Sequence, residues 1–277
     1  MKFTVEILSG LCNVLKSFVT ALSIGEANIL PRFDAHFDAD YREILDDSLI
    51  CHNPSEFGES VVSARLLILK SEEEDQLDLI NDGKALGDHP NIRNKKLAYL
   101  FSTKTIDWFF DRNLISDKVF NRIMHGISKI KWRNEVLSEV ERVSQNFEYP
   151  LLSIQIRTWT HQFDPPNCTS IRDGVIRDYN FETYKKAIDQ FLNSETPPKT
   201  IFLTADVDSV LPEYLEYLKD YNVVTYTKPK HVTQMQYSAA TMLIASKCDM
   251  LVCCRLSTFA ECIWWFGKCK AKTIPVF

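Results

Sequence analysis

Residues 200–226, TIFLTADVDSVLPEYLEYLKDYNVVTY, decide the fold class of this chain. The run opens with an apolar segment at Thr200–Thr204, continues with apolar residues at helical spacing over Leu211–Leu218, and closes with a second apolar segment at Val223–Tyr226. Short apolar runs that alternate with a helical pattern predict a β-α-β unit whose two strands lie parallel.

The same alternation continues on both sides of this unit. An alternating apolar strand is predicted before it, at Leu151–Arg157. The other predicted elements of this half are helix Phe181–Leu192, helix Thr233–Ser246, strand Met250–Cys253, helix Thr258–Phe266 and strand Thr273–Val276. We therefore predict a parallel α/β sheet in residues 149–277.

The first half of the chain is less regular. Phe3–Leu8 predicts a strand, Gly10 a turn, and the apolar residues from Val14 onwards recur at the spacing of a helix. Arg65–Leu69 is a second candidate strand, and residues 105–145 have a mostly helical pattern. These elements predict a second α/β lobe.

Tyr149-Pro150 marks the predicted boundary between the two lobes. The spans on either side are residues 1–148 and 149–277. Each is long enough to bury a core of its own.

Charge and hydropathy exclude some functions. The formal net charge is −5, which argues against a nucleic-acid partner because phosphate backbones require a basic surface. No stretch approaches the roughly 18 apolar residues of a membrane span, and the first ten residues do not form a signal peptide. None of the eight cysteines forms a Cys-x-x-Cys pair, so free buried thiols and a cytoplasmic location are expected.

Ligands of open α/β sheets bind beyond the carboxyl ends of the strands, which directs attention to Arg157. This residue ends the strand Leu-Leu-Ser-Ile-Gln-Ile-Arg. A guanidinium is a rigid fork of donors suited to phosphate. Alternatively, the arginine pairs with a nearby acid at the edge of the sheet.

The helix predicted at Thr258–Phe266 begins at the same edge. Thr258 and Glu261 have the spacing of a capping box. A helix start also directs free N–H groups and partial positive charge into the crevice, where a diphosphate is the natural ligand. Capping alone would equally explain Ser257 and Thr258.

Four acidic or basic side chains near these strands have open interpretations. Asp206-Val-Asp208 could bind a metal, Asp206 could contact a base or ribose, or Asp208 could cap the following helix. His161 and Asp164 lie in the loop after Arg157, where either could act as general base towards a sugar hydroxyl. A solvated loop pair is the alternative.

Taken together, these segments resemble the fucosyltransferase-like glycosyltransferases with a GT-B fold. The matching segments are Gly10-Leu-Cys-Asn13, Ile154-Gln-Ile-Arg157, Phe202-Leu-Thr-Ala-Asp206, and Ser246-Lys-Cys-Asp249 through Ser257-Thr-Phe-Ala-Glu261 to Trp265. The family motif His-x-Arg-Arg-x-Asp is altered here, with Gln155, Thr158 and Thr160 in place of its histidine, second arginine and aspartate.

The resemblance implies a GT-B-like fold, with two Rossmann-like lobes around a central cleft. It implies that residues 1–148 hold the acceptor, a glycan or glycoconjugate, and that residues 149–277 bind the nucleotide sugar. The implied reaction is an inverting, metal-independent transfer of fucose from GDP-fucose, with no cofactor. The alternatives are another donor, such as UDP-xylose or an NDP-rhamnose, and a non-catalytic module that binds sugar nucleotides.

The resemblance also assigns roles to individual residues. Arg157 binds the diphosphate, Asp206 contacts the nucleoside, and Ser257 and Thr258 hold phosphate oxygens. Gly10 and Asn13 line the cleft from the other lobe. The general base is Asp164 in the first instance and His161 in the second.

Overall fold

The structure is a computed structural model. It describes residues 2–6, 10–30, 40–53, 59–62, 110–115, 117–158, 179–255 and 257–276. The chain forms two compact units, the first comprising Met1–Ser138 with Lys230–Ala239, and the second comprising Glu139–Pro229 with Ala240–Phe277. The predicted strand at 65–69 lies outside the described residues.

The first unit contains a three-stranded parallel sheet. Its strands are β1 (Lys2–Glu6), β2 (Glu26–Ile29) and β3 (Glu59–Val62), in the order β2-β1-β3. The turn at Gly10 leads from β1 into helix α1 (Leu11–Ile24), as the sequence predicts. All five apolar residues that predict this helix are buried, namely Val14, Leu15, Phe18, Val19 and Leu22.

Two further helices of the predicted helical region are α2 (Asp117–Ser128) and α3 (Asn134–Ser144). Helix α2 packs closely on α1 at Gly126, where an added Cβ would lie only 2.3 Å from the carbonyl oxygen of Val19. The ammonium of Lys129 then donates to the carbonyl of Leu22 at 2.8 Å, so a cation satisfies the C-terminal end of α1.

The second unit contains a five-stranded sheet in which all neighbouring strands are parallel. The strands are β4 (Leu151–Ile156), β5 (Thr200–Ala205), β6 (Val223–Thr225), β7 (Met250–Cys254) and β8 (Lys272–Val276). Their order is β6-β5-β4-β7-β8. The α/β class predicted from the sequence is thus confirmed.

Helices connect these strands as predicted, with ends that differ by no more than one residue. They are α4 (Phe181–Leu192), α5 (Leu211–Tyr217), α6 (Gln234–Ala245) and α7 (Thr258–Phe266). One face of the sheet packs on α4 and α5 to form an apolar core that includes Ile154, Leu203 and Val252. Alternate side chains of a strand point to opposite faces, so this core fixes which residues of β4 remain on the other face.

Candidate functional site

Strand order places the candidate site at the centre of the second unit. From β4 the chain moves outwards to β5 and β6, and then returns to form β7 on the opposite side of β4. The order therefore reverses between β4 and β7, and ligands of open α/β sheets bind beyond the carboxyl ends of the strands at such a point. Arg157 follows β4 directly, and Ser257 and Thr258 follow β7.

Arg157 is held at both its backbone and its side chain. Its N–H group donates to the hydroxyl of Tyr184 at 3.1 Å. Its Nη1 donates to Oδ2 of Asp206 at 2.6 Å, which makes an ion pair at the edge of the sheet. The pairing with an acid that the sequence left open is therefore present, whereas phosphate binding by Arg157 stays a prediction.

Asp206 accepts hydrogen bonds from three groups. Besides Nη1 of Arg157, the backbone N–H of Thr158 donates to its two oxygens at 3.0 Å each. The hydroxyl of Thr158 donates to the same oxygens at 3.0 and 3.2 Å. The N–H group of Asp206 itself donates to the carbonyl of Ile156 at 3.2 Å. Asp206 thereby ties the first residues after β4 to the end of β5.

Tyr184 is a member of the site that the sequence interpretation missed. It lies on α4, is 2% exposed, and belongs to the core beneath the sheet. Burial raises the pKa of its hydroxyl well above the usual value, so it stays neutral and can accept from Arg157. The helical spacing places Tyr184 on the buried face of α4, but it does not predict which strand end the hydroxyl meets.

Helix α7 begins with a side-chain cap at Ser257. The Ser257 backbone is extended, and its Oγ accepts from the N–H of Ala260 at 3.3 Å. The capping box predicted for Thr258 and Glu261 is therefore wrong. Thr258 is the first helical residue, which places Ala260 rather than Glu261 at the third helical position.

The first N–H groups of any helix have no carbonyl within the helix to bind. In the first turn of α7, Ser257 supplies partners for two of them, its Oγ for the N–H of Ala260 and its carbonyl for the N–H of Glu261, which leaves the N–H groups of Thr258 and Phe259. The helix dipole adds partial positive charge at the same end. The start of α7 consequently offers anion-binding groups directly beyond β7.

Arg255 is a second guanidinium at this edge. The register pairs Gln155 of β4 with Cys253 of β7, so Arg157 and Arg255 each lie two residues beyond a paired position. The side chain of Arg255 is half-buried, and burial lowers the pKa of its guanidinium. The sequence interpretation assigned Arg255 no role.

Gln155 lies where the resembled motif has its histidine. It is 4% exposed, and its Nε2 donates to the carbonyl of Ile156 at 3.2 Å. In the part of the chain that the structure describes, its Oε1 accepts no hydrogen bond. Gln155 is therefore buried on the face of the sheet opposite the core that contains Ile154, in register with Thr204 and Cys253.

The roles of the other predicted site residues stay predictions. His161 and Asp164 lie outside the described residues. Gly10 and Asn13 belong to the first unit, where Gly10 precedes α1 and its carbonyl accepts from the N–H of Val14 at 3.2 Å. An added Cβ at Gly10 would meet no atom within 4 Å.

Asp208, the second acid of the Asp-Val-Asp sequence, does not cap a helix. It is exposed and begins a single 3₁₀ turn, Asp208–Val210, that leads into α5. Neither that turn nor α5 has a side-chain cap among the described residues, so the capping interpretation of Asp208 is wrong.

Metal-ligating side chains are dispersed in the described parts of the chain. Across those residues, no three His, Cys, Asp or Glu side chains come close enough together to hold a metal ion. Asp40 instead accepts from the backbone and guanidinium of Arg42. The seven described cysteines are buried thiols.

Within the residues that the structure describes, no helix combines the length and the apolar character needed to cross a membrane.

Comparison with known proteins connects this geometry to one fold. No protein-family model matches the sequence, and no curated protein matches it. Among solved structures, fucosyltransferase NodZ from Bradyrhizobium is 14% identical with a TM-score of 0.54, and the match covers 94% of this chain and 90% of that one. NodZ α-1,6-fucosyltransferase soaked with GDP-fucose is 13% identical with a TM-score of 0.52, covering 95% and 92%.

POFUT1 in complex with GDP is similar as well. It is 12% identical with a TM-score of 0.51, and the match covers 99% of this chain and 96% of that one. At these identities the similarity concerns the fold, and the chain has the fold of these fucosyltransferases. The predicted resemblance is thus confirmed at the level of the fold, whereas the arrangement of two lobes around a cleft stays a prediction.

Proposed function

We propose that this chain is a glycosyltransferase that moves fucose from GDP-fucose onto a hydroxyl of a glycan or glycoconjugate. One observation carries the proposal. A guanidinium, Arg157, and the start of a helix, at Ser257 and Thr258, lie beyond the two strands between which the strand order reverses. That combination suits a diphosphate, whose charge a glycosyl transfer must stabilise.

The chemistry follows from the leaving group. When the bond between the sugar and the nucleoside diphosphate breaks, negative charge develops on the departing phosphate oxygen. Groups already oriented towards that oxygen lower the barrier because they need no reorganisation during the reaction. Arg157 and the first turn of α7 are our choice for these groups, and Arg255 adds a second guanidinium.

Inversion at the anomeric carbon requires a base that removes the proton of the acceptor hydroxyl. We propose Asp164 for this role and His161 as the alternative, because both follow Arg157 in the chain. Asn13 and Gly10, in the first unit, are proposed to line the donor site. The acceptor is proposed to bind the first unit.

GDP-fucose is the proposed donor because proteins of the same fold have been crystallised with it or with GDP. NodZ was soaked with GDP-fucose, and POFUT1 was solved in complex with GDP. We propose a cytoplasmic location, which the thiol state of the described cysteines supports because thiols persist in reducing compartments.

A donor screen tests this proposal. Release of the product nucleotide is measured with GDP-fucose, UDP-xylose and an NDP-rhamnose, with and without a panel of glycan acceptors. We expect GDP release from GDP-fucose, at a rate that an acceptor increases. Release from another donor alone would change the substrate, and binding of GDP without any release would indicate a non-catalytic sugar-nucleotide module.

A further inference from the structure

The carboxylate of Asp206 is already committed to the protein. Its side chain is 9% exposed and accepts from Nη1 of Arg157 and from both the N–H and the hydroxyl of Thr158. An ionised carboxylate only accepts hydrogen bonds, and charge-assisted bonds such as the 2.6 Å contact with Arg157 are the strongest of this set.

Contact with a nucleoside would require the same oxygens. A base or ribose donor would have to reach a carboxylate that is almost fully covered, and would compete there with Thr158 and Arg157. Displacing Arg157 would separate an ion pair that is largely removed from water, and the remaining charge would be left without compensation. The geometry therefore favours a role for Asp206 within the protein over a contact with the ligand.

We propose that Asp206 is a positioning residue for Arg157, and that it orients the guanidinium towards the diphosphate and does not contact the nucleoside. This inference rests on the proposed function. It also accounts for Thr158, which stands where the resembled motif has a second arginine. Here its hydroxyl and N–H group fix the carboxylate that in turn fixes Arg157.

Among the residues that the structure describes, Tyr184 and Asp206 hold Arg157 in this arrangement. Tyr184 holds its backbone N–H group, and Asp206 holds the far end of its side chain, at Nη1. A long arginine side chain otherwise samples many rotamers, and fixing both ends sets the plane of the guanidinium before the ligand arrives. These contacts place Nη1 against the carboxylate at the end of β5, the strand next to β4.

A double-mutant cycle tests the inference. The proteins are the wild type, Asp206→Asn, Arg157→Ala and the double variant, and Asp208→Asn serves as the control because Asp208 is an exposed acid two residues away. For each protein, kcat with GDP-fucose and the dissociation constants of GDP, inosine diphosphate and UDP are measured. Thermal melting verifies that each variant is folded.

A positioning role predicts a specific pattern. Asp206→Asn should lower kcat on the order of tenfold to a hundredfold, because misplacement of a catalytic group by about 1 Å has effects of this size. It should weaken the binding of GDP, inosine diphosphate and UDP by one common factor, since all three nucleotides carry the same diphosphate. In the Arg157→Ala background it should have no further effect, and Asp208→Asn should match the wild type.

Direct contact with the nucleoside predicts the opposite pattern. Asp206→Asn would then change the ratio of GDP to inosine diphosphate or UDP affinity, and its effect would add to that of Arg157→Ala. Either result overturns the inference while leaving the proposed function in place. A wild-type protein that binds none of the three nucleotides would overturn both.

A second variant keeps the test decisive if Asp206→Asn does not fold. Thr158→Val removes the hydroxyl donor to Asp206 but keeps the backbone N–H bond and nearly the same volume. We expect the same uniform loss of nucleotide affinity, but smaller. A change of nucleotide preference in this variant would contradict the positioning role.

Discussion

At the scale of single residues, the site depends on how Arg157 is presented at the end of β4. The sequence places Arg157 at the end of a predicted strand and leaves open whether its guanidinium binds phosphate or pairs with an acid. It could not identify the acid, because that depends on the register of β4 with β5, which places Ala205 opposite Ile156 and Asp206 just beyond. Hydrophobic periodicity defines strands but does not set their register with this accuracy.

Substitution of Arg157 should abolish most activity and leave the fold intact. Arg157→Ala removes a donor to the developing charge, and we expect kcat to fall about 10²–10³-fold. Arg157→Lys should also be poor, because an ammonium cannot reproduce the planar fork that Asp206 orients. The measurement is GDP release from GDP-fucose at saturating donor.

Thermal unfolding of the same variants separates a catalytic effect from a structural one. Loss of Arg157 leaves Asp206 with its two bonds from Thr158, and the side chain of Arg157 is 20% exposed. The loss of stability should therefore stay below the roughly 3 kcal/mol that breaking a fully buried pair costs. Activity of Arg157→Ala within twofold of the wild type would remove Arg157 from the site.

At the scale of elements, α7 combines a cap with a proposed anion site. The sequence predicted this helix with its first and last residues in place, yet misassigned its cap by one residue. Ser257 and Thr258 are both good caps, and composition alone does not distinguish them. The structure does so because Ser257 has extended dihedral angles and Thr258 is already helical.

Substitutions at Ser257 can distinguish its role as a helix cap from its proposed contact with phosphate. The side chains introduced by Ser257→Asn and Ser257→Asp have the same size, and both can accept from the N–H of Ala260. Both variants should therefore retain the cap, whose loss would lower the free energy of unfolding by about 1 kcal/mol. Only the aspartate places negative charge against a diphosphate. We expect GDP to bind Ser257→Asp at least about tenfold more weakly than Ser257→Asn, from like-charge repulsion.

Isothermal titration with GDP measures the nucleotide affinity of each variant, and thermal melting measures its stability independently. Equal GDP affinity for the asparagine and aspartate variants would show that phosphate does not approach the start of α7. A parallel loss of melting temperature in both would instead mean that the buried Ser257 position does not tolerate the larger side chain.

At the scale of the whole molecule, the two halves of the chain differ in how far the sequence predicts them. In the second unit, apolar runs and helices alternate so regularly that every described strand and helix was predicted. In the first unit, β2 and β3 were missed, because only two of the four residues in each strand are apolar, whereas the short β6 lies in the more apolar run Val223–Tyr226. The contact of α2 with α1 at Gly126 depends on tertiary packing and has no local signal.

Metal independence is a prediction about the molecule as a whole, and it tests the leaving-group chemistry. Asp206-Val-Asp208 has the spacing of a metal-binding pair, and a divalent ion would neutralise the diphosphate in the way we assign to Arg157 and α7. Asp206, however, is engaged with Arg157 and Thr158, and Asp208 is exposed. We therefore expect the initial rate with GDP-fucose to be unchanged in EDTA and not to rise with added Mg²⁺ or Mn²⁺.

The Asp208→Asn variant sharpens this test, since a metal held by the Asp-Val-Asp pair would need Asp208 as a ligand. If EDTA stops turnover, Mn²⁺ restores it, and Asp208→Asn weakens that restoration, the pair binds a metal in the active enzyme. Such a metal would have to compete for the Asp206 carboxylate with Arg157 and Thr158, which both donate to it. The metal ion would then stabilise the charge of the leaving diphosphate. The pair of Arg157 and Asp206 would be present only in the metal-free enzyme.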